Sequence, residues 1–118
     1  MRNPIFDELV QELTPLLGAA KDHTSATGVR FTSSTKGKVT VYHSNLATGN
    51  HAEVAIDIAS NAARMQLSER EMRDRINQAR MATGRDVERN AQYDWPRIGL
   101  AGPEHIPSVL QALRLATV

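Results

Sequence analysis

Residues 52–66 read AEVAIDIASNAARMQ, and the choice of fold turns on them. Val54, Ile56 and Ile58 alternate with polar or small neighbours, the period-2 pattern of a half-buried strand. Ala55, Ile58, Ala59, Ala62 and Met65 also fall on one helical stripe. β-Branched residues crowd the first half and alanines the second. A strand over about 53–59, followed by a short helix from residue 60, satisfies both patterns.

Upstream, 28–34 and 38–44 carry the same alternation: Val29 and Phe31, then Val39, Val41 and His43. Thr35-Lys36-Gly37 between them supplies a short turn with glycine for a positive φ, so the two runs predict a β-hairpin. Before them, Asn3-Pro4 is a helix start, and Phe6, Leu9, Val10, Leu13, Leu16 and Leu17 recur at helical spacing. Pro15 should kink or end that helix. Residues 20–27, AKDHTSAT, read as a loop.

Downstream, Ser68-Glu69-Arg70-Glu71 has the spacing of a capping box, with Leu67 and Met72 placed as a hydrophobic staple. The helix it opens should run to Thr83, with Gly84 as its left-handed cap. Residues 93–100, YDWPRIGL, predict a last strand, at an edge because Pro96 has no N–H for a ladder. Gly102-Pro103-Glu104 opens a final helix whose apolar face is Ile106, Val109, Leu110 and Leu113. Strands are grouped rather than alternating with helices. The expected architecture is one α+β domain over 1–118: an antiparallel meander of three to four strands, with N-terminal, middle and C-terminal helices on one face.

Composition narrows the chemistry. The 118 residues are 41% hydrophobic and 23% charged, with a net charge of +1. A chain dedicated to nucleic acid usually carries a larger positive excess. There is no cysteine, so thiol catalysis, disulfides and cysteine-ligated metals are excluded. Asp7, Glu8 and Glu12 interrupt what a leader peptide would need as an apolar run, and no stretch approaches the roughly 18 apolar residues of a membrane span. A cytoplasmic protein is expected.

Arg70, Arg73, Asn77 and Arg80 follow i, i+3, i+7, i+10 spacing on the capped helix, which sets them in one stripe. Guanidinium groups in a row can grip carboxylates or phosphates. The competing reading is a solvated face stitched by Glu69–Arg73, Arg70–Asp74 and Glu71–Arg75 pairs. Tyr93 and Trp95 are the second candidate, because such side chains anchor binding surfaces.

On the outer sheet face, alternation groups Arg30, Lys38 and Tyr42. The same parity brings Glu53 and Asp57 there, and cross-strand ion pairs explain that mixture better than a nucleic-acid surface. His51-Ala52-Glu53 lacks the cysteine partners of zinc deaminases, and His43 shares the core side of its strand. No metal, cofactor or catalytic set is assigned, and no phosphate-loop or nucleophile-elbow motif occurs.

The expectation is a small non-catalytic protein that acts through a protein partner, as a regulator, inhibitor or accessory factor. Arg70, Arg73, Asn77, Arg80, Tyr93 and Trp95 are its candidate contacts. The alternative is nucleic-acid binding through the arginine stripe, and a small enzyme without recognisable motif comes third. Apolar surface left on the terminal helices fits a homodimer.

Overall fold

The computed structural model describes residues 4–22, 28–33, 35–43, 48–87 and 95–114. In chain order these form α1 (Pro4–Leu17), β1 (Lys21–Asp22), β2 (Gly28–Phe31), β3 (Val39–Tyr42), β4 (Ala52–Ile56), α2 (Ile58–Met65), α3 (Glu69–Thr83), β5 (Arg97–Leu100), a 3₁₀ turn (Pro103–His105) and α4 (Ile106–Leu113). The strands make one antiparallel sheet in sequential order, β1-β2-β3-β4-β5. The α+β meander is therefore as the sequence implies. Its extra member is the two-residue edge strand β1, which lies within the stretch the sequence presents as a loop.

One sheet face is apolar. Phe31, Val39, Val41, Val54, Ile56, Ile98 and Leu100 are buried there against Leu9, Leu13 and Leu17 of α1, Met65 of α2, Met72 and Ile76 of α3, and Val109 and Leu113 of α4. Each fully buried large aliphatic or aromatic side chain contributes about 1.5–3 kcal/mol. This layer is thus the main source of stability. Pro15 ends nothing by itself: α1 continues to Leu17 and stops at Gly18, whose φ is +83° and whose N–H returns to the Thr14 carbonyl at 2.9 Å. His43 stacks on Phe6 of α1, ring centres 3.8 Å apart, and is half-buried as its parity predicts.

The ambiguous stretch divides earlier than expected. β4 ends at Ile56 rather than residue 59, and α2 starts at Ile58 rather than residue 60. Asp57 is the reason. Its carboxylate accepts from the Ser60 N–H and hydroxyl, an N-cap that opens the helix at once. Ile58 is buried all the same, now as part of a helical face.

Asn61 then ties α2 to the hairpin. Its amide donates to the Lys38 and Asp57 carbonyls at 3.0 and 2.8 Å. Gly37, at φ +95°, turns beneath it, and a Cβ there would lie 2.3 Å from the Asn61 oxygen. Only glycine meets both demands at low cost.

α3 has the full capping box. Glu71 N–H donates to the Ser68 hydroxyl, and Ser68 N–H donates to the Glu71 carboxylate, both at 3.0 Å. Gly84 closes the helix at φ +60°. Arg75 leaves the expected pairing with Glu71 and reaches α4 instead, donating to the carbonyls of Gln111, Ala112 and Arg114 at 2.6, 3.3 and 2.6 Å. Arg64 donates to Leu113 O at 2.6 Å. Two cations therefore meet the C-terminal carbonyls of α4, where the helix dipole favours positive charge.

The hydrogen bonds from the Ser68 N–H and hydroxyl hold the Glu71 carboxyl below its ordinary pKa of 4.5. A carboxyl depressed on folding stabilises the fold above its ordinary pKa and ceases to do so as pH falls through the lowered value. Ser68→Ala should cost about 1 kcal/mol in denaturant unfolding at neutral pH. It should also flatten the loss of stability on acidification below pH 4.5. An unchanged unfolding midpoint would contradict the cap.

Candidate functional site

Arg70, Arg73, Asn77 and Arg80 are all exposed on the side of α3 turned away from the core. Their side chains make no hydrogen bond or ion pair among the described residues. The stitching expected from Glu69 and Asp74 is therefore absent. Met81, 81% exposed, stands four residues beyond Asn77 on the same ridge, and is the exposed large hydrophobic side chain among the described residues. Its i+4 spacing from Asn77 puts it on that ridge in the sequence as well.

Trp95 lies elsewhere. It shares strand parity with Arg97, which faces the side of the sheet that carries no helix among the described residues. There it lines an open cleft of about 260 Å³ with Arg30, Phe31, Thr32 and Lys38. The candidate contacts thus separate onto opposite faces, α3 on one and Trp95 on the other. Tyr93 falls outside the described residues.

The outer face also holds an arrangement the sequence did not disclose. Glu53 has no exposure to solvent. Its carboxylate accepts from Thr48 Oγ1 at 2.6 Å, Asn50 Nδ2 at 3.1 Å and Arg97 Nη1 at 3.2 Å. Arg97, 9% exposed, lays its guanidinium over the Tyr42 ring at 4.1 Å. Arg85 donates to Asn50 Oδ1 at 2.8 Å and to Thr48 O at 3.2 Å, while the Asn50 amide also donates to Asp86 O at 2.6 Å. Segments 48–50 and 85–86 are thereby fastened over β4 and β5. Arg97 was legible in principle, since alternation with Ile98 and Leu100 turns it towards Glu53. Asn50 and Arg85 come from distant loops, and nothing local marks them.

No protein-family model, curated protein or solved structure matches this chain.

Among the described residues, no group of three or more histidines and carboxylates is placed to hold a metal ion. His105 Nδ1 accepts the Ala101 N–H at 3.0 Å, His43 stacks on Phe6, and His51 is exposed. The Glu53 carboxylate is enclosed by donors, which suits holding a structure rather than moving a proton. Among the described residues, the helices are also too short or too polar to cross a membrane.

Gly99 sits beside Glu53 in the register and leaves space for this network. A Cβ at Gly99 would lie 2.5 Å from Asn50 Nδ2 and 3.0 Å from the Arg85 Cβ. Gly99→Ala should therefore displace Asn50 and lower stability by about 1–3 kcal/mol, the range for overpacking a tight site. Chemical denaturation checks this, and wild-type stability would mean that the Asn50 bridge is dispensable.

Proposed function

We propose that this protein works by binding a protein partner through the outer ridge of α3. The observation that carries the reading is Met81, 81% exposed beside Arg73, Asn77 and Arg80. Methionine and arginine are enriched where proteins meet, whereas Lys, Glu and Asp are depleted there. The ridge is borne by a helix anchored through Met72, Ile76 and Ala79, so it presents its side chains from a rigid base. Its guanidinium groups suit carboxylates on the partner, around an apolar socket for Met81.

Duplex nucleic acid on the same ridge is the weaker reading. It would call for Arg64 beside Arg70, Arg73 and Arg80, yet Arg64 turns inward to Leu113 O. Exposed Glu69 and Asp74 would also oppose phosphates. In this reading the protein is a cytoplasmic regulator, inhibitor or accessory factor, a setting compatible with a cysteine-free chain.

Affinity purification from the native host tests this with three variants. Met81→Asp should raise the dissociation constant of the captured partner about thirtyfold or more, the effect of a central anchor worth about 2 kcal/mol. Changing Arg70, Arg73 and Arg80 together to Gln should weaken capture while barely altering the fold, because exposed charges contribute about 0–1 kcal/mol each. Trp95→Ala should leave this partner in place. Capture that survives both α3 variants, or that disappears on nuclease treatment, would overturn the reading.

A further inference from the structure

The cleft on the helix-free face has its own chemistry. One row across the sheet runs Lys21, Arg30, Thr40, Ala55 and Arg97. Continuing the register one step beyond Phe31↔Val39 sets Thr32 beside Lys38, and the Ile56 N–H to Pro96 O bond carries the same row on to Trp95. Thr40 and Ala55, between Arg30 and Arg97 in that row, are small and buried. Lys21, Arg30 and Lys38 stand towards the β1–β3 side of this face, and Trp95 at the β5 side.

Among the described residues, this side of the strands carries four cations, Lys21, Arg30, Lys38 and Arg97, against two carboxylates. Glu53 is enclosed by Thr48, Asn50 and Arg97. Asp57, between Lys38 and Trp95 in the row, accepts from the neutral Ser60 N–H and hydroxyl and keeps its charge, so the excess on this side is two positive charges. The Lys38 ammonium makes no hydrogen bond or ion pair among the described residues. What faces outward is a cationic margin opposite an indole.

We propose that this cleft binds single-stranded nucleic acid, with a base against Trp95 and neighbouring phosphates against Arg30, Lys38 and Lys21. A planar ring joined to an anion matches both halves of the site, whereas an acidic peptide matches the cations alone. A duplex keeps its base faces stacked and offers none to the indole. At about 260 Å³ and open, the cleft is smaller than the roughly 300–1,000 Å³ that encloses a small ligand, so it suits a strand crossing the sheet. The site is on the opposite face from α3 and stands independently of the protein partner.

Trp95 is the sole tryptophan, so its emission reports on the cleft. The whole protein is titrated with a short oligo(dA) strand, the same sequence as duplex, adenosine monophosphate, inorganic phosphate and polyglutamate. The strand should quench saturably, with log affinity falling against log salt by about 0.7 per phosphate held. Arg30→Gln with Lys38→Gln should weaken it about tenfold or more, and Lys38→Gln alone should weaken it measurably should the double variant misfold. Trp95→Ala, followed by anisotropy of a labelled strand, should cost about fivefold to a hundredfold. Gln at Arg70, Arg73 and Arg80 should change nothing here. Absence of quenching by the strand, equal affinity for duplex, monophosphate, phosphate or polyglutamate, or indifference to Lys38→Gln would each overturn the proposal.

Discussion

A carboxylate with no contact with solvent lies on the side of the sheet that none of the described helices covers. Removing a charge from water costs several kcal/mol, so Glu53 has to be surrounded by donors before the fold is tolerable. The demand is met by Thr48, Asn50 and Arg97, and through Asn50 by Arg85 and Asp86. Much of the outer face follows. The loop before β4 and the segment after α3 are drawn over the sheet, Arg97 is laid on Tyr42, and β5 is fixed in a register that brings Trp95 to the cleft. The apolar layer supplies the bulk of the stability, and the polar layer specifies which arrangement of loops and edge strand goes with it.

That division also separates the two surfaces. α3 is held from within by Met72 and Ile76, at its start by the capping box, and through Arg75 by the end of α4. Within the helical layer, Arg64 and Arg75 are used internally. Arg70, Arg73 and Arg80 remain outward with Met81. On the other face, Arg97 offsets Glu53, and Arg30 and Lys38 outnumber Asp57 beside Trp95.

The fold was legible wherever the signal was local. The capping box, Gly84, the Gly37 turn and the hairpin alternation each depend on residues within a few positions of one another, and each appears as expected. Boundaries moved where a side chain gave the backbone another partner. Asp57 capped a helix two residues before the expected end of the strand at 59, and Lys21–Asp22 gained strand character by lying beside Arg30 and Val29. The candidate surfaces were legible only in part. Helical spacing correctly put Arg70, Arg73, Asn77 and Arg80 on one exposed stripe. It did not reveal that Arg75 reaches the end of α4 instead of pairing with Glu71, nor that Trp95 belongs to the opposite face. The Glu53 network joins positions up to 44 residues apart, and no local pattern encodes such a contact.

The most direct test of this account is a double-mutant cycle on the buried pair, using Glu53→Gln, Arg97→Met and the two combined, followed by denaturant unfolding. Each single change strands one buried partner and should cost about 3–5 kcal/mol. The double variant keeps an acceptor for Thr48 and Asn50 and leaves no charge, so it should be more stable than the sum of the singles by about 2 kcal/mol or more. Single effects that add within about 0.5 kcal/mol, as for residues that do not interact, would contradict the claim that this pair organises the outer face.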